Sequence, residues 1–269
     1  MMCKKNNPVG LFDSGVGGLS VLREIFRQLP YENTVYFADT VHRRYGTKSE
    51  KVIKKYVFEI INFLIKKKRV KIIIIACNTA TSIALEGAHK NFNIPIIGVI
   101  EPGAKMALKV TQNKAIGIIG TEVTIRKKML RKIIETLDPE VRVFEQACPP
   151  FGNFVEQGLV NPEKIRETVN RYLKILKNKE IDTLILGCTH YPFLNNFIKE
   201  ALGSNVILID PSQETVLEVK KILIQSDSLN LNKRIPVYEF FTTGNKSNFK
   251  NIAEKLLGKE SLKVEHICL

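Results

Sequence analysis

Long apolar runs are missing from this 269-residue chain. The longest, such as Ile72 to Ala76 and Ile94 to Ile100, fall far short of the roughly 20 residues that a membrane-spanning helix needs. Lys4 and Lys5 have no apolar segment behind them, so no secretory signal is expected and a cytoplasmic location is. Paired cysteine spacing is missing too. Cys3, Cys77, Cys148, Cys188 and Cys268 are an odd set without a CxxC, which argues against a disulfide framework and a zinc ribbon and predicts reduced thiols. Cys188 and His190 lie two apart, but no second Cys/His pair completes four ligands, and no metal is expected. Acidic residues are scarce, 27 against 41 Lys and Arg, for a formal charge of +14. Clustered cations can neutralise phosphates. Much of this excess, however, lies on helical patterns at Lys66 to Lys71 and Arg126 to Lys132, with no zinc-finger, RRM or basic-zipper signature. It reads as solvated surface, and binding to nucleic acid or membrane is not expected.

What is present is ordinary for a globular protein: 44% apolar and 25% charged residues, in a chain long enough to bury a real core. Short β-branched runs alternate with amphipathic stretches from end to end. The runs fall at 9–12, 34–38, 71–76, 96–100, 115–120, 141–146, 183–187, 206–210 and 237–243. Helical patterns fill most gaps, for instance Glu50 to Lys68 with Val52, Tyr56, Ile60, Phe63 and Leu64 on one face. Alternation of this kind marks a parallel sheet covered on both faces. Two halves open alike, VGLFDSGVGG and AIGIIGTEVT, and each carries one strand that ends in a thiol, ACNTA and GCTHY. The expected fold is therefore α/β, with two similar doubly wound parallel-sheet domains and the active site in the cleft between them. Residues 1–98 plus 211–269 would form the first domain and 99–210 the second. In such sheets ligands collect beyond the carboxyl ends of strands, where both thiols lie.

The segment Phe12-Asp13-Ser14-Gly15-Val16-Gly17-Gly18 is a strand end, a glycine turn and a helix start. It is neither GxGxxG nor a P-loop, so a dinucleotide or nucleotide site is not indicated. Asp13 can be read as a helix N-cap or as a site residue. Tyr45-Gly46 precedes a helix start, where backbone amides and a ring hydroxyl can border a pocket. Cys77 and Cys188 both precede helical patterns, and a helix N-terminus can lower a thiol pKa. A single buried cysteine is most simply a small hydrophobe. Two in the same setting, with Asn78-Thr79 and Thr189-His190 directly after them, are better explained as a pair of proton carriers on opposite faces of one carbon. Cys3, Cys148 and Cys268 lack that setting. No cofactor is expected.

FDSGVGGLSVLREI, YFADT with YGTKS, ACNTATSIAL, Phe154-Val155-Glu156-Gln157-Gly158 and LGCTHYPFL, in this order, resemble the bacterial glutamate racemases of the cofactor-independent aspartate/glutamate racemase superfamily. The resemblance spans nearly the whole chain. It implies interconversion of L- and D-glutamate, with D-glutamate destined for peptidoglycan, by a homodimeric enzyme. Carried over by position, Cys77 acts on D-glutamate with Asp13 assisting, and Cys188 acts on L-glutamate with His190. Glu156 matches an acidic residue near the second thiol. Asp13, Ser14, Tyr45, Gly46, Asn78, Thr79, Thr189 and His190 match substrate contacts, and Thr121 with Thr124 lies at a helix start suited to a carboxylate. Arg44 stands where the family has proline, and Val123 and Lys127 replace small residues. The alternatives are an aspartate racemase and, in another class, a binding partner of a nucleic-acid enzyme, a role that Cys77→Ala would spare.

Overall fold

A computed structural model describes residues 5–43 and 45–269, so the expectations placed on Cys3, Lys4 and Arg44 lie outside the described residues. The chain alternates strand and helix through β1 (Val9–Asp13), α1 (Leu19–Gln28), β2 (Thr34–Ala38), α2 (Glu50–Lys66), β3 (Ile72–Ile75), α3 (Asn78–Asn91), β4 (Ile96–Gly98) and α4 (Ile100–Val110). It continues through β5 (Ala115–Gly120), α5 (Glu122–Lys127), α6 (Met129–Leu137), β6 (Arg142–Ala147), α7 (Pro149–Glu156), α8 (Pro162–Lys177), β7 (Thr183–Gly187), α9 (Asn195–Leu202) and β8 (Ile207–Ile209). It closes with α10 (Pro211–Gln225), β9 (Tyr238–Thr242), α11 (Lys246–Leu257) and β10 (Val264–His266).

Two sheets result, both wholly parallel. One has the order β10-β9-β2-β1-β3-β4 and the other β6-β5-β7-β8. The second order repeats the β2-β1-β3-β4 part of the first, which makes β3 and β7 equivalent strands. The two thiols follow these two strands.

The apolar runs form strands because helices cover both faces. All of Ile72–Ile75 and Ala115–Gly120 are buried. Alternate residues separate cleanly by face. Val9, Leu11, Ile72 and Ile74 join a cluster that runs on to Ile119, Leu184 and Leu186 of the other sheet, whereas Phe12, Ile73 and Ile75 pack towards α2 and α3. One continuous apolar core thus ties the sheets together and aims their carboxyl ends at a shared space.

Several local expectations shift. The buried stripe of α2 is Ile53, Val57, Ile60, Ile61 and Leu64, with Val52, Tyr56 and Phe63 at its flanks. The strand at 96–100 ends at Gly98, because α4 begins at Ile100. The short edge strand β10 was not anticipated: only Val264 of its three residues is buried, too little for an apolar run.

Lys71 is the sharpest departure from the picture of solvated cations. It is fully buried ahead of β3, with its Nζ 2.6 Å from the buried Glu32 carboxylate, and it donates to the Lys5 and Ser228 carbonyls at 2.8 and 2.7 Å. Glu32 also accepts from the Asn230 amide at 2.8 Å. One buried ion pair therefore anchors the segment after α10 to the first sheet. Removing one charge strands the other, so Lys71→Met is expected to cost about 3–5 kcal/mol in urea denaturation, and the double change with Glu32→Leu should recover much of the loss.

Candidate active site

At the carboxyl ends of the strands lies a pocket of about 320 Å³. The first sheet's side supplies Ser14, Tyr45, Gly46, Cys77, Asn78 and Thr79. The second supplies Thr121, Glu156, Cys188, Thr189 and His190. Among the residues singled out in the sequence, Asp13 and Thr124 stand behind the wall. Thr124 supports Thr121, whose hydroxyl oxygen accepts from the Thr124 amide at 3.2 Å. The Thr121 hydroxyl also meets that of Thr79 across the pocket at 3.1 Å.

Asp13 closes β1 and is completely buried. It is not a helix cap, since Gly18 takes that position in α1. Its Oδ1 accepts from the Gly15 amide at 2.8 Å and its Oδ2 from the Thr189 hydroxyl at 3.0 Å. Burial pushes the carboxyl above the usual range, against the opposing pull of His190, Thr189 and the Gly15 amide.

The glycines after Asp13 serve close packing rather than anion binding. A Cβ on Gly17 would lie 2.6 Å from His190 Nδ1 and overlap the Thr189 hydroxyl, and one on Gly15 would overlap the Glu156 carboxylate. The Val16 amide donates to Glu156 Oε1 at 3.2 Å. The turn of the first sheet is thus pressed directly onto the chemically active end of the second.

The two thiols turn out to be unlike. Cys77 is the N-cap of α3, with its Sγ 3.6 Å from Ser14 Oγ. Burial, and next the Asp13 charge, push this thiol up to about 12, although the Ala80 amide and Ser14 act in the other direction. The expected lowering at a helix N-terminus does not prevail, because desolvation and a neighbouring carboxylate outweigh it. Cys188 has no α-helix directly after it. A 3₁₀ turn, Tyr191–Leu194, follows, and α9 starts only at Asn195. Its Sγ lies 3.5 Å from His190 Nδ1, while His190 Nε2 lies 2.8 Å from Glu156 Oε1. Burial disfavours the imidazolium, but Cys188 and Glu156 together raise His190 well above its ordinary value. Glu156 is correspondingly held low: burial works against its charge, and His190, the Val16 amide and Arg43 overcome it.

Tyr45 also differs from expectation. Its hydroxyl donates to the buried Asp39 at 2.6 Å, while the residue lines the pocket. Val123 is buried with the first sheet's cluster, and Lys127 pairs with Glu50, so both departures from the family pattern bind α5 to the other half. Cys148 is buried and its thiol is pushed up by desolvation; Cys268 is exposed. Among the lining residues that motif reading missed are Arg43, Glu122, Asn153 and Tyr191. Adjacency to Tyr45-Gly46, Thr121, Phe154-Val155-Glu156-Gln157-Gly158 and Cys188-Thr189-His190 is the signal for Arg43, Glu122, Asn153 and Tyr191. Among the described residues no group of three or more His, Cys, Asp or Glu is arranged to hold a metal, and no helix is long and apolar enough to cross a membrane.

Comparison with known proteins meets this geometry. The Asp/Glu/hydantoin racemase family matches residues 17–219. The chain belongs to that family. It is 42% identical to a glutamate racemase of Bacillus cereus over 266 residues, 99% of this chain and 98% of the relative. It is also similar to the crystal structure of glutamate racemase isoform RacE1 from Bacillus anthracis, with a TM-score of 0.94 and 42% identity over 98% of each chain. The glutamate racemase of Francisella tularensis, solved in complex with D-glutamate, gives 0.90 and 34% over 98% of each chain. The α/β architecture with two parallel sheets is the one these structures share.

Two outcomes follow from the geometry. Gly17→Ala drives a methyl into Thr189 and His190, and should lower the denaturation free energy by about 1–3 kcal/mol, as overpacking does. Glu156→Gln removes the charge that helps keep His190 protonated. The His190 titration read by NMR should therefore move to lower pH. The sign for stability is the same: a raised histidine pKa stabilises the fold fully below about pH 6.5 and loses that contribution as pH climbs through the folded value. The variant should lose stability on the acid side relative to the wild type.

Proposed function

We propose that this chain is a glutamate racemase that inverts the α-carbon with Cys77 and Cys188 as opposed acid and base, without a cofactor. The observation that carries the reading is that two thiols from equivalent strands of the two sheets line one pocket. The high identity to glutamate racemases supports glutamate as substrate over aspartate. D-glutamate made in this way would feed peptidoglycan synthesis in the cytoplasm, and the active species would be a homodimer. Residues 1–98 with 211–269 would form one domain and 99–210 the other.

The chemistry follows from the protons. A thiol held near 12 carries its proton at neutral pH, so Cys77 starts as the acid. His190, raised well above its ordinary value and 3.5 Å away, would stabilise negative charge on the Cys188 sulfur during proton transfer. L-glutamate would lose its α-proton to Cys188 and receive one from Cys77 on the other face. That leaves the enzyme in the form that accepts D-glutamate through Cys77. The substrate ammonium needs acceptors. Asn78, which lines the pocket, leaves its Oδ1 buried without a hydrogen-bond partner among the described residues. Ser14, whose hydroxyl lies 3.6 Å from the Cys77 sulfur, lines the same pocket, and Asp13 is buried behind the wall. An ammonium placed there would also offset the Asp13 charge, which is the second cause of the high Cys77 value. As the α-carbanion develops, hydroxyls of Thr79 and Thr121 and the amides opening α3 would face the carboxylate in a closed cleft.

In deuterated water L-glutamate should acquire α-deuterium as the D-enantiomer appears. Cys77→Ala and Cys188→Ala should each lower racemisation by about 10²–10⁴-fold or more, with the fold intact by circular dichroism. A folded wild-type protein that exchanges no α-proton of glutamate would refute the proposal.

A further inference from the structure

The pocket has a charge problem that the thiols do not solve. Glutamate brings a second carboxylate on its side chain, yet Glu122 and Glu156 both line the pocket. Among the described residues, Arg43 is the one Lys or Arg on that lining. Its guanidinium is close enough to help hold the Glu156 carboxyl low. Resting on the reading of the site as a glutamate racemase, we infer that Arg43 receives the side-chain carboxylate of the substrate and sets the preference for an acidic side chain.

The loop around Arg43 is built to hold it there. Asp39, almost completely buried after β2, accepts from the Tyr45 hydroxyl at 2.6 Å and from the Thr243 hydroxyl at 2.9 Å. His42 Nδ1 lies 3.0 Å from the same carboxylate, and its ring stacks on Tyr56 with centroids 3.8 Å apart. The Val41 amide donates to Thr243 Oγ1 at 3.0 Å. Residues on both sides of Arg43 are therefore tied down through one buried carboxylate. Arg43 itself is solvent-exposed and faces the pocket mouth. An arginine so placed presents a fork of donors that matches a carboxylate in two-point contact, and its charge offsets Glu122 and Glu156. The thiols and Asn78 contact atoms that every α-amino acid shares. Arg43 contacts the part that distinguishes one from another.

The test compares wild type, Arg43→Gln, Arg43→Lys and Glu122→Gln, using α-deuterium exchange from deuterated water into L-glutamate and into L-glutamine, which has the same length without the charge. Arg43→Gln should raise the KM for glutamate by about 10- to 100-fold with kcat within a few-fold, and leave exchange into glutamine no weaker. Arg43→Lys should restore part of the glutamate KM, and Glu122→Gln should lower it. An unchanged KM for glutamate in Arg43→Gln would overturn the assignment. So would a loss confined to kcat with a displaced pH profile, since that would place Arg43 on Glu156 and His190 alone. A wild-type protein inactive on glutamate would instead refute the reading on which the assignment rests.

Discussion

The site depends on one steric constraint: a turn of the first sheet must lie flat against the Thr189-His190 end of the second. Side chains at Gly15 and Gly17 would occupy space held by Glu156, Thr189 and His190. Because that space is filled, Asp13 can take the Thr189 hydroxyl and the Val16 amide can reach Glu156. These contacts fix one sheet against the other at the chemically active end. The shared apolar core fixes them everywhere else. A shift that loosened the turn would leave Asp13 without the Thr189 hydroxyl and Glu156 without the Val16 amide, so the packing and the electrostatics hold each other in place.

Within that frame, the charges are distributed unequally. On the Cys77 side, burial raises both Asp13 and the thiol. On the Cys188 side, a lowered Glu156 and a raised His190 form a buried ionic pair. A two-base reaction needs its carriers in opposite protonation states at the outset. The two sides of the pocket differ through the environments of the thiols rather than through any difference between the strands that carry them.

Much of this was legible in the sequence, for reasons that differ by element. The apolar runs at Thr34–Ala38, Ala115–Gly120 and Thr183–Gly187 coincide with strands because both faces are buried along their whole length. Site residues that sit next to a motif were readable by adjacency, as with Asn78, Thr79, Thr189 and His190. What periodicity could not show is desolvation. It cannot distinguish the buried Lys71 from its exposed neighbours, since the ion pair with Glu32 forms across 39 residues of chain. Nor can it show that Cys77 is raised rather than lowered, because burial decides the direction and a carboxylate from another strand adds to it. The direction of the Tyr45 hydroxyl is lost for the same reason, its partner being a buried aspartate shared with Thr243 at the far end of the chain.

The repeated strand order explains why the thiols are paired while the rest of the pocket is not. Inversion at one carbon requires two proton carriers related by the plane of that carbon, and two copies of a β-β-β-β order deliver a strand end to each side. The carboxylate, ammonium and side chain of the substrate lie in or near that plane and have no mirror counterparts. Groups that hold them must therefore be single. In the proposed site Asn78 and Arg43 would have this character, Thr189 standing where Asn78 does. The surroundings of the two sulfurs differ as well: the buried Asp13 carboxyl helps to raise Cys77, whereas an imidazole lies 3.5 Å from Cys188. On the proposed two-thiol reaction, the repeated strand order would supply the symmetry that proton transfer demands, and the differing loops the asymmetry that holding one substrate in place demands.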